Sequence, residues 1–149
     1  MVSESRSGGA QLIAVDFNFP IDCPVSGTIK AVNTFTGALT AATSQTVTND
    51  GYTLEIGFNP GLPAGCYSID LANNLCLAGD KNCLFRSLPG DTNSGGAVNL
   101  IDMAQAKAKN GAIPIDYDAR FDVNLDGNIN LIDMALIKSL NGLQTFDCR

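Results

Sequence analysis

One 21-residue segment occurs twice in this chain, and the repeat constrains the fold more than any other feature. Residues 91–111 read DTNSGGAVNLIDMAQAKAKNG and residues 122–142 read DVNLDGNINLIDMALIKSLNG; a shift of 31 residues superposes them with twelve identities. In each copy, oxygen-bearing side chains stand at alternate positions around a glycine, and an apolar stretch with helical spacing follows. A calcium loop of this type needs oxygen donors at positions 1, 3, 5, 7, 9 and 12, with glycine at position 6 for the sharp turn. The second copy fills every position: Asp122, Asn124, Asp126, Asn128 through its backbone carbonyl, Asn130 through water, and Asp133, with Gly127 at the turn. The first copy supplies Asp91, Asn93, Gly95, Ala97 through its backbone, Asn99 and Asp102, with Gly96 at the turn. Gly95 offers no side-chain oxygen, so two carboxylates face three in the second loop. Two calcium sites are therefore expected, the first weaker.

The remaining composition narrows the class. The chain has 149 residues, 45% of them apolar and 16% charged, which suits one globular domain or two small ones. The net charge of −6 and the lack of a basic patch argue against a nucleic-acid partner. No apolar run approaches the roughly 18 residues that a membrane span requires. The stretch after Met1, VSESRSGGAQ, lacks the apolar centre of a leader, so a mature form or a fragment is expected. Five cysteines and no histidine, without zinc-ligand spacing, suit a secreted or cell-surface protein with disulfides. Cys23 and Cys66 both flank predicted strands and are expected to pair, with Cys83 bonded to Cys76 or to Cys148; an odd cysteine also permits a bond between subunits. An enzyme is not expected: there is no histidine and no nucleophile motif, and the acidic residues cluster with metal-ligand spacing. Sugar binding has little support, with no tryptophan and only Tyr52, Tyr67 and Tyr117 to stack on a ring.

Residues 1–10 read as a polar tail and residues 11–88 as mostly β. LIAVDFNF, TIKAVNTF, SQTVTNDGYTLEIGF and CYSIDLA alternate as half-buried strands do, and Asn49-Asp50-Gly51 predicts a hairpin turn. CLFRSLPG reads as the join to residues 89–149, which hold the two loops. FNFPIDCPVSGTI, a Thr-rich strand, and DGYTLEIGFNPGLPAGCYSIDLA resemble the Ig-like domains of large bacterial surface and secreted proteins. That resemblance implies a small β-sandwich acting as a spacer or assembly element. The copy is short, which leaves room for a strand supplied from elsewhere.

Position 12 is Asp in both loops, and each loop is followed by only one helix-like segment. Residues 89–143 thus resemble a type I dockerin, a pair of calcium loop–helix units, rather than a sensor with two helices per loop. The fold class expected is two small domains, an all-β Ig-like sandwich followed by an α-helical dockerin-like module. The resemblance implies a protein partner, a cohesin-like domain, engaged around and just after the last ligand: Leu100, Ile101 and Lys107, and Leu131, Ile132 and Lys138. Many cellulosomal dockerins carry Ser-Thr in place of these Leu-Ile pairs. It also implies that the two ends of the module meet, bringing Cys148 near Cys83. From spacing alone, Ile101, Ala104 and Ala108 share one helical face, as do Ile132, Ala135, Leu136 and Leu140, so Ile101 and Ile132 are expected to pack inward. Leu100 and Leu131 fit core or contact equally. Two similar units can pack about a pseudo-twofold axis, which would let a partner read either helix. The function expected is a non-catalytic, extracellular, calcium-binding assembly module. The alternative is a subunit of a filament or surface layer, with the polar tail added to a neighbouring copy's sheet edge as a homo-oligomer forms.

Overall fold

The computed structural model of the chain describes residues 3–4, 6–76, 81–145 and 148, with side chains for all of these except 3, 4 and 116. Among the described residues eight strands come first: β1 (Ser3–Glu4), β2 (Ala10–Asp16), β3 (Lys30–Asn33), β4 (Leu39–Ala41), β5 (Ser44–Thr48), β6 (Thr53–Leu62), β7 (Gly65–Asp70) and β8 (Asn82–Ser87). Two helices follow, α1 (Leu100–Ala108) and α2 (Leu131–Ser139), with a 3-10 turn at Asp116–Phe121 between them. The strands form one sheet in the order β1-β8-β7-β3-β4 and a second in the order β2-β6-β5.

The two sheets bury one hydrophobic cluster. Ala10, Leu54, Ile56, Phe58 and Leu62 reach it from β2 and β6, and Ala31, Tyr67 and Ile69 from β3 and β7. The alternation behind these strands is plain at the start of β6, where Leu54 and Ile56 are buried and Thr53 and Glu55, which alternate with them, are not. The hairpin at Asn49-Asp50-Gly51 forms as expected, all three residues lying at positive φ (51°, 52° and 94°). Gly9, at φ +73°, lets the chain pass close to β6; a Cβ there would lie 2.0 Å from the Leu62 carbonyl oxygen.

Three expectations change at this level. CLFRSLPG is more than a connector: Asn82–Ser87 is a strand, β8, antiparallel to β7 with Arg86 opposite Cys66. Ser3–Glu4 is not a free tail: it pairs with β8 of the same chain, Ser3 opposite Arg86. The disulfides join Cys23 to Cys76 and Cys66 to Cys148, leaving Cys83 free. The Cα separations are 6.2 and 5.3 Å, ordinary for such bonds. The expected Cys23–Cys66 bond fails because Cys66 lies in β7, where the returning C-terminus reaches it. Cys83, opposite Ile69 on β8, then has no partner left.

A second cluster lies beyond β8. Leu88, Val98, Ala106, Phe121, Val123, Ile129, Met134 and Ile137 form it, drawn from both repeats, from Phe121 between them and from Leu88 just ahead of the first. The two repeats are tied reciprocally: Gly142 N–H donates to the Val98 carbonyl at 2.9 Å, and Gly111 N–H donates to the Ile129 carbonyl at 2.8 Å. These bonds exchange under the 31-residue shift, so the end of each helix unit closes on the loop of the other.

Candidate functional site

Each loop is built around two carboxylates that gather backbone N–H groups. In the second loop, Asp122 Oδ1 accepts from Asp126 N–H at 3.1 Å and Oδ2 from Gly127 N–H at 3.0 Å. Asp133 Oδ1 accepts from Val123 and Asn124, and Oδ2 from Asn130 at 2.8 Å. The first loop repeats the pattern, with Asp91 accepting from Gly95 and Gly96 and Asp102 from Asn93 and Asn99. The backbones match as well. Position 4 is left-handed in both, Ser94 at φ 60° and Leu125 at φ 62°, and position 6 is Gly96 at 87° and Gly127 at 83°. Glycine suits position 6 because that conformation is strained for other residues.

The loops hand directly to the helices. Asn99 and Asn130 are the N-caps, their side chains accepting from Ile101 and Ile132 N–H at 2.8 and 2.7 Å. Asp102 and Asp133 return the bond to the cap N–H, completing a capping box. Position 12 of each loop is thus also the third residue of a helix. The sequence signals this N-cap role, since Asn is followed three residues later by Asp ahead of an apolar run.

Charge separates the loops. Asp102, Asp122 and Asp133 are buried, and among the described residues none has a cationic partner. Buried carboxylates without a counter-charge suit a hard cation, and their surroundings of amide and carbonyl oxygen are what calcium prefers. Asp126 is exposed, and the Asn124 amide donating to it holds its carboxyl below the usual range, with Asn128 and Asn130 adding to the effect. Asp91 instead meets Arg86, whose Nη1 lies 3.5 Å from Asp91 Oδ2. Among the described residues, no three His, Cys, Asp or Glu side chains are already gathered as metal ligands. The loop carboxylates are turned to backbone N–H groups and spaced by asparagines.

The helix faces differ from the expectation. Ile101 and Ile132 do not pack inward but are 58% and 56% exposed, and Leu100 and Leu131 are 68% and 74% exposed. Lys107 and Lys138 are exposed on the same helices. The buried face runs instead through Asp102 and Ala106, and through Asp133, Met134 and Ile137. The position-12 aspartate must point into its loop, and this fixes the rotation of each helix. The residue just before it is thereby turned about 100° away from the core side. No helix among the described residues is long and apolar enough to cross a membrane.

With this geometry in view, residues 89–141 match the model of the dockerin type I domain, and this segment is a type I dockerin-like module. A structural match is a type II cohesin–X-module–dockerin complex from Acetivibrio cellulolyticus, an N-terminal interface mutant. It is 16% identical, covers 91% of this chain and 97% of that one, and has a TM-score of 0.36, too distant a likeness to bear on fold or partner. No curated protein matches the chain.

Proposed function

We propose that the chain is a non-catalytic, calcium-stabilised interaction module of an extracellular assembly, with its helical part docking to a cohesin-like domain. The observation that carries this reading is the paired exposure of Leu100-Ile101 and Leu131-Ile132, on two units tied by reciprocal hydrogen bonds. Large apolar side chains held in the open at equivalent points suit contact surfaces, and two equivalent helices offer a partner two orientations. Lys107 and Lys138 flank the pairs and would lie at the polar rim.

Calcium belongs to the same reading. Asp122, Asn124, Asp126, Asn128, Asn130 and Asp133 form the stronger site, and Asp91, Asn93, Gly95, Ala97, Asn99 and Asp102 the weaker one. The ion supplies positive charge and hard coordination, so binding favours the folded loops by mass action. The strand region, residues 11–88, serves as an Ig-like spacer, and residues 89–149 form the docking part. Two disulfides fit an extracellular location. The filament alternative is less well supported, because Ser3–Glu4, within the segment it would donate to a neighbour, pairs with β8 of its own chain.

Two measurements test the reading. Calorimetric titration with calcium, alongside melting in EDTA, should give binding heat and a lower melting temperature without the ion; identical melting in both conditions refutes the calcium claim. Immobilised type I and type II cohesin domains should capture the chain, and Leu100→Asp combined with Leu131→Asp should abolish capture. Capture unaffected by the double change would move the docking face elsewhere.

A further inference from the structure

The first loop carries a feature that the second lacks. Arg86 lies in β8, outside the repeat, with only 9% of its side chain exposed, against an Asp91 side chain that is fully buried. Its Nη1 donates to the Ser94 carbonyl at 3.1 Å and stands 3.5 Å from Asp91 Oδ2, the oxygen that also accepts from Gly96 N–H. The guanidinium lies flat against Gly96, where a Cβ would come within 3.0 to 3.2 Å of Nη2, Cζ and Nη1. Arg86 therefore touches positions 1, 4 and 6 of the loop at once. The residue 31 positions on, Tyr117, is 71% exposed, and a Cβ at Gly127 would meet nothing within 4 Å. Asp122 has no cation beside it among the described residues.

We propose that Arg86 is the resident counter-cation of the first loop, holding it folded without calcium and leaving the second loop as the calcium-responsive one. This rests on the calcium reading above. Two carboxylates and one guanidinium leave the first loop with a single net negative charge, against three in the second. A divalent ion entering the first loop would share Asp91 with a fixed guanidinium cation, and like charges on one carboxylate disfavour each other. Gly95 fits the same division, since a third carboxylate is dispensable where the cation is already built in. The charge pair is nearly dry, so screening by salt weakens it little.

Hydrogen exchange of the native chain in EDTA tests this directly. The Gly95 and Gly96 amides, bonded to Asp91, should stay protected at least roughly tenfold more than the Asp126 and Gly127 amides, bonded to Asp122, and calcium should protect only the second pair. Equal exchange of both pairs in EDTA overturns the proposal. Calorimetry adds a readout that a purely structural role would not move. The native chain should bind one calcium ion at least roughly tenfold more tightly than any second. Arg86→Met, made in Asp133→Asn to silence the second loop, should raise first-loop affinity by a similar factor. Unchanged affinity in that variant, or two equal sites in the native chain, overturns the proposal while leaving the calcium reading intact. No calcium heat in the native chain overturns both.

Discussion

Asp102 and Asp133 each serve two roles at one position, closing a loop and opening a helix. Each carboxylate accepts two or three backbone N–H bonds in full burial, so its loss strands those donors. Asp133→Ala should lower stability in EDTA by about 2–3 kcal/mol, read by urea denaturation, and should remove the added stability that calcium gives. A change below about 0.5 kcal/mol would mean that these bonds are made equally well by water. Cys83 offers a second residue-scale check. Burial pushes its thiol above the usual range, so little thiolate forms at neutral pH. A thiol reagent should titrate one cysteine, slowly in the native chain and quickly after unfolding; two or more fast thiols would contradict the pairing. At this scale the two matching loops, with glycine at the turn, were legible because the repeat states them twice. The cysteine pairing was not, since it depends on which strand the returning chain end meets.

The elements show where pattern reading succeeds and where it inverts. β6 was legible because its buried and open residues alternate with apolar and polar chemistry. β8 was not, because Leu84 is exposed while Arg86 points inward to the first loop, the reverse of the usual alternation. The helices were legible as helices, yet their rotation was misread, because apolar residues occur on both faces and only the buried aspartate distinguishes them. This yields a paired prediction. Ile137→Ala removes a fully packed side chain and should cost about 2–5 kcal/mol. Leu131→Ser, on an open face of the same helix, should change stability by no more than about 0.5 kcal/mol. Denaturation curves that rank the two the other way would refute the helix rotation described above.

At the scale of the whole molecule, the strand region and the paired loops are joined at several points. β8 runs almost directly into the first loop, Ser7 N–H donates to the Val123 carbonyl of the second loop, and Cys148 is bonded to Cys66. The last two contacts were not visible from local pattern, because each links residues far apart in the chain. The Cys66–Cys148 bond spans a separation of 82 residues, for which chain-entropy arguments give about 4–5 kcal/mol of stabilisation. Replacing both cysteines by alanine should lower the melting temperature in EDTA, and a melting curve that does not move would assign the junction's stability to its non-covalent contacts. The same bond settles how the molecule carries tension. A pull between the strand region ahead of Cys66 and Cys148 passes across the sulfur bridge and bypasses the two repeats, which lie between the bonded cysteines in sequence. Both repeated loops and both helices therefore sit beside the line of force, and the exposed Leu-Ile pairs on those helices keep their arrangement while the chain around them is stretched.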